Sequence, residues 1–144
     1  MTKNDWHKVY LGYLNESQAE LAKEAKKYFV EICEDLGKVT KNLHDAISFT
    51  QTLLISFIDA DEFVSYDELA LFNYIFNFDG DTYNDLKSMI QNFRDNFSYD
   101  EIDCVVDNCS RNTKNKILRF GLCICAIDGE ISVSEQKIIE KYAE

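Results

Sequence analysis

Proline is absent from this chain, and only five of its 144 residues are glycine. Without proline, long stretches stay free of the residue that most strongly breaks helices. With so few glycines, no phosphate-cradling loop can be written along the sequence. Sustained period-two alternation is also missing, which argues against a half-buried sheet. No apolar run reaches the length of a membrane span or a secretory leader, the first residues reading MTKNDWHKVYLGYL; a cytoplasmic protein with no transmembrane segment is expected. The five cysteines, Cys33, Cys104, Cys109, Cys123 and Cys125, are odd in number and include no Cys-x-x-Cys pair. That argues against a disulfide framework and a zinc site. Most of them fall on apolar stripes, where a free thiol behaves as a small hydrophobe.

Cations are scarce in one place. The formal net charge is −11, and residues 51–110 hold two Lys/Arg against thirteen Asp/Glu. The flanking stretches are close to neutral, at −1 for residues 1–50 and +1 for residues 111–144. Such a field repels nucleic acid and anionic lipid and favours cations or a basic protein surface. An acidic exterior also serves plain solubility. Trp6, Val9, Tyr10 and Tyr13 stand at helical spacing near the start. An interfacial membrane helix would carry a basic polar face; with only Lys3 and Lys8 nearby, docking onto the protein's own core is expected.

What is present is helix. A chain of this length is one ordinary domain, burying about 68–70% of its unfolded surface, and no linker or low-complexity tract divides it. Residues 16–36 place Leu21, Ala25, Tyr28, Phe29, Ile32 and Leu36 on one face, with Asn15 and Gln18 expected to cap the helix and Gly37 to end it. A second helix from about Lys41 to Ile58 turns Leu43, Ala46, Ile47, Thr50, Leu53, Leu54 and Phe57 inward. A third covers about 66–77, with Leu69, Phe72, Tyr74, Ile75 and Phe76, and Asp79-Gly80-Asp81 breaks it. The next, about 83–97, carries Tyr83, Leu86, Ile90, Phe93 and Phe97. Ser98 with Glu101 then opens a short helix with Ile102, Val105, Val106 and Cys109 inward. Lys116 to Ile127 is apolar on nearly every side, as expected of a central buried helix, and a last helix, about 133–143, carries Ile138, Ile139 and Tyr142. Short connections imply antiparallel neighbours in an up-and-down bundle. The expectation is an all-α, compact helical bundle of seven to eight helices, able to exist as a monomer.

Two stretches overlay at an offset of 67 residues: Phe57 to Glu68, FIDADEFVSYDE, and Ile124 to Glu135, ICAIDGEISVSE. Shared in register are an aspartate (Asp61, Asp128), an apolar residue (Val64, Ile131), a serine (Ser65, Ser132) and a glutamate (Glu68, Glu135). Each stretch follows an apolar helix and precedes an amphipathic one, so the repeated unit is a helical hairpin. Local physics accounts for most of it. Each serine is a natural N-cap with its glutamate at N3, Gly129 suits a left-handed helix end, and the apolar residue staples the entry. The aspartates are not demanded, because the C-terminal end of a helix is an unfavourable place for a carboxylate. An EF-hand is excluded: with Glu135 or Glu68 at the twelfth loop position, the first is Ile124 or Phe57, and the first ligand is lost.

The segment AIDGEISVSEQKIIEKYA with its lead-in GLCIC resembles the signature of the tellurite-resistance TerB family, through Ala126, Asp128, Gly129, Ile131, Ser132 and Glu135. Residues 53–76 look like that family's earlier half, with Glu62 where glycine is usual. The likeness covers about residues 41–144, leaving 1–40 as an N-terminal helical extension of a single domain. It implies a compact helical fold with two pseudo-repeated hairpins. It also implies a divalent-metal or partner-binding role in bacterial stress and defence systems. Carried over residue by residue, the metal ligands would be Asp61, Glu68, Asp128 and Glu135, with Asp59, Glu62 and Glu130 as helpers and the second half the surer site. The cation expected is calcium or magnesium, weakly held.

Catalysis finds little support, since neither His7 nor His44 stands in a nucleophile arrangement with a cysteine or serine. Thirteen acids in sixty residues also form carboxylate pairs by chance. The leading expectation is a TerB-like module, not an enzyme, binding a divalent cation and a protein with a basic face. The second is an acidic inhibitor or immunity-type protein covering a basic surface without metal, and a metal-dependent hydrolase comes third.

Overall fold

The computed structural model describes residues 5–40, 42–59, 66–76, 82–96 and 99–143. Among them are eight α-helices and no strand, so the chain is an all-α bundle. In chain order they are α1 (Trp6–Leu14), α2 (Gln18–Thr40), α3 (Leu43–Asp59), α4 (Tyr66–Phe76), α5 (Thr82–Asn96), α6 (Tyr99–Asp107), α7 (Arg111–Asp128) and α8 (Val133–Tyr142).

Helix α7 is the hub, as its all-round apolar pattern predicts. Every residue from Phe120 to Ile127 is buried, and α1, α2, α3, α4 and α8 all pack on it. Each large apolar side chain removed from water in this way stabilises the fold by about 1.5–3 kcal/mol. Helix α2 lies along α7 and α3 and buries all six residues of its predicted stripe, Leu21, Ala25, Tyr28, Phe29, Ile32 and Leu36. Phe57 of α3 reaches α7 at Gly121, where an added Cβ would stand 2.3 Å from the ring carbon Cζ. Helix α1 docks inward through Trp6 and Tyr13, both buried. Helices α1 and α2, an extension by resemblance, therefore share the core of the rest.

Several boundaries differ from the sequence reading, each for a local reason. Asn15 closes α1, its amide donating to Leu11 O at 3.3 Å, and Ser17 caps α2 by accepting from the Glu20 N–H at 3.2 Å. Helix α2 runs through Gly37 to Thr40; a glycine costs a helix only about 1 kcal/mol, less than Leu36 gains by its burial. Helix α7 starts before Lys116, because Ser110 accepts from the Thr113 N–H at 3.2 Å. That cap has no Glu or Gln at N3, so its box signature is missing from the sequence. Val105, expected inward, is 39% exposed, and Tyr74 of α4 is 42% exposed. Lys26 places its ammonium 5.0 Å from the Tyr74 ring centre, a cation–π contact that suits a half-exposed tyrosine. The caps expected at Ser65 and Ser98, the break at 79–81 and the side chains of Leu43, Phe76, Tyr83, Phe93 and Phe97 lie outside the described residues.

The register of the two sequence stretches persists in the helices that follow them. Helix α4 begins at Tyr66 and α8 at Val133, in corresponding places. Glu68 and Glu135 are both 1% exposed, Phe72 and Ile139 are both fully buried, and Ile75 and Tyr142 follow one turn on.

Candidate functional site

The turn between α7 and α8 is built from its ends inward. Gly129 has φ 85°, ψ −6°, the left-handed conformation that only glycine adopts without strain, and its N–H donates to Ala126 O at 3.1 Å. The next free carbonyl of α7, Ile127 O, accepts from Gln18 Nε2 of α2 at 3.0 Å. Ser132 then opens α8 with a complete capping box. Its hydroxyl accepts from the Glu135 N–H at 3.1 Å, and Glu135 Oε1 accepts from the Ser132 N–H at 3.0 Å.

The other oxygen of Glu135 is also engaged. The Cys125 thiol donates to Glu135 Oε2 at 3.1 Å, and both side chains are buried. Burial, then the Glu135 carboxylate and its hydrogen bond, then Glu68 and Asp128, push that thiol well above its ordinary range. Cys125 therefore stays protonated and acts as a donor. A buried protonated thiol is not a nucleophile.

The expected ligands thus occupy different surroundings. Asp128 is half-buried at the end of α7 and Glu130 is exposed, whereas Glu68 and Glu135 point into the interior. Asp61 and Glu62, and the side chain of Asp59, lie outside the described residues. Among the described residues no three His, Cys, Asp or Glu side chains are grouped as a metal ion would require. Tyr10 of α1, packed against the core, feels the same acidic groups: burial, then Cys125, Glu135, Glu130 and Asp128, raise its hydroxyl above the ordinary phenol value. Tyr10 and Gln18 belong to the N-terminal segment that the motif leaves out. Only the apolar spacing of α1 hints at the first, and the sequence marks the second only as a capping partner of Asn15, not as a contact of this turn.

A second acidic feature is broader. Asp67 of α4, Asp85 and Asp95 of α5, and Asp100, Glu101 and Asp107 of α6 are all exposed. Asp103 is tied to Lys141 of α8 by an ion pair, and Gln91 donates to Asp95 at 2.9 Å. Among the described residues of the acidic stretch these six carboxylates are therefore solvated, whereas Glu68 is buried. No described helix is long and apolar enough to cross a membrane.

Comparisons with protein-family models, with curated proteins and with solved structures find no match. The resemblance to the TerB family stands on the motif alone.

Proposed function

We propose that this chain is an acidic, TerB-like binding module, not an enzyme, whose partner is a protein presenting a basic face. One observation carries the reading: six carboxylates on α4, α5 and α6 are exposed, in the stretch where Lys87 and Arg94 are the cations of the sequence. An exposed field of one sign steers an oppositely charged partner and speeds encounter more than it deepens affinity. Association should therefore slow as salt rises from low to physiological strength, where the screening length falls to about 8 Å. A rate indifferent to salt would count against the reading. The bacterial stress or defence setting comes from the resemblance.

A weak divalent cation belongs to the same proposal, and half-buried Asp128 at the carboxyl end of α7 with exposed Glu130 two residues on are what support it. Glu135, with both oxygens used by Ser132 and Cys125, is a poor candidate to share in holding it. With so few protein ligands, affinity would be on the order of 10⁻⁴–10⁻³ M, and a concentration ten times that constant would stabilise the fold by about 1.4 kcal/mol. Thermal melts in millimolar calcium or magnesium test this, and the upward shift should shrink in Asp128→Asn. Equal melting temperatures with chelator and with cation would favour the metal-free alternative, an acidic inhibitor or immunity-type protein.

A further inference from the structure

We infer that the cleft where α2 and α6 end and α7 begins binds a small amphipathic carboxylate of the medium-chain fatty-acid class. The cleft has a volume of about 450 Å³, inside the range of about 300–1,000 Å³ usual for small-molecule sites. It shares no residue with the α7–α8 turn or with the six exposed carboxylates. Its apolar wall comes from Leu36 and Val39 at the end of α2, Val105 near the end of α6, and Cys109 in the link to α7. Val39 is 80% exposed and Val105 is 39% exposed, so two branched apolar side chains stand open to water in one cleft. Covering them with an apolar body is favourable.

The polar lining selects the head group, because most of it is already committed. Asp35, the carboxylate of the lining, accepts from Lys116 at 2.8 Å and from Thr113 at 3.0 Å. Ser110 is spent on the Thr113 N–H. The Asn108 side chain donates to Cys104 O at 2.8 Å, and the Cys109 thiol to Val105 O at 3.3 Å. What is left over is positive and donating. Among the described residues the side chains of Lys38, on the lining, and Lys114 enter no ion pair or hydrogen bond. The charge of Lys38 reaches Asp35, and that of Lys114 reaches Cys109, whose thiol burial nevertheless holds above its ordinary value. The first turn of α7 holds no acidic residue, and the Asn112 N–H at N2 has no acceptor within the helix. That helix end adds partial positive charge to the same place. The complement is an anion carried on an apolar body. Size decides against a macromolecule, since a stable interface covers about 800 Å² on each partner, far more than two valines provide. A second copy would also bring its own net charge of −11 against the first.

The test is an amide chemical-shift titration of the full chain with sodium octanoate, kept below its micelle concentration. Saturating shifts are expected at the amides of Lys38, Val39, Val105, Asn108 and Asn112. The dissociation constant should be on the order of 10⁻³–10⁻² M, as ligand efficiency allows so small a molecule. Lys38→Gln keeps most of the stem and removes the charge, and should weaken octanoate severalfold. Octanol, with the same apolar body and no charge, should bind severalfold more weakly than octanoate and be indifferent to Lys38→Gln. Val39→Asp, at an exposed position, should abolish the shifts and leave the rest of the spectrum in place. Absence of saturating shifts at these amides, equal affinity for octanoate and octanol, or unchanged octanoate binding in Val39→Asp would each overturn the assignment. So would an acidic apolar peptide that shifts these amides where octanoate does not, because the cleft would then belong to a protein partner.

Discussion

Phe57 fits against α7 because residue 121 has no side chain. Gly121→Ala would drive a methyl group into that ring at 2.3 Å, and overpacking of this kind costs about 1–3 kcal/mol. A denaturant midpoint equal to that of the parent chain would show that the ring yields freely. Asp35 is the second residue whose role is local and measurable. Its Oδ2 accepts from Lys116 Nζ at 2.8 Å and from Thr113 Oγ1 at 3.0 Å, joining α2 to α7. Burial alone would raise its pKa, but the hydrogen bonds from Lys116 and Thr113 and the lysine charges outweigh burial and lower it. A lowered carboxylate stabilises the fold above its unfolded value, and that contribution is lost as pH falls through the folded one. Asp35→Asn should therefore cost about 1–2 kcal/mol at neutral pH, and progressively less in acid. A deficit that stays constant down to acid pH would mean the residue acts by shape and not by charge.

At the scale of elements, the capping box at Ser132 is the feature that sequence and structure describe in the same terms. Ser132→Ala should cost about 0.5–2 kcal/mol, read as a lowered denaturant midpoint; an unchanged melt would mean the serine is not a cap. The stripe of α2 and the encircled apolar run of α7 were equally legible, because burial over several turns imposes a period on the sequence. Boundaries were less so. Asn15 and Ser17 are both good caps, and the choice between them depends on where α1 ends, which a neighbour in space decides. Gly37 reads as a stop only if propensity rules, and at Leu36 packing rules. Ser110 opens α7 with no glutamate at N3 to advertise it. Val105 sits on the apolar stripe of α6 yet faces outward by more than a third, since stripe position says nothing about how much partner surface exists to cover it.

At the scale of the molecule, charge was legible and commitment was not. Composition alone placed the acidic excess in residues 51–110, and the exposure of Asp67, Asp85, Asp95, Asp100, Glu101 and Asp107 follows from the cost of burying carboxylates. The turn was read less completely, because one glutamate can serve as a capping residue or as a ligand and the motif looks the same. Only packing shows that Glu135 gives one oxygen to Ser132 and the other to Cys125. The hydrogen bond from Gln18 to Ile127 O beside that turn is a long-range contact that no local pattern encodes. The central claim is that the acidic face recruits a basic protein, and one comparison tests it most directly. The full chain and a variant carrying Asp85→Asn, Asp95→Asn, Asp100→Asn, Glu101→Gln and Asp107→Asn are each immobilised and exposed to the same cell extract at low and at high salt. The account predicts that the parent retains a discrete set of basic proteins at low salt, that high salt releases them, and that the neutralised variant fails to retain them. Retention of the same proteins by both chains at both salt concentrations would contradict it.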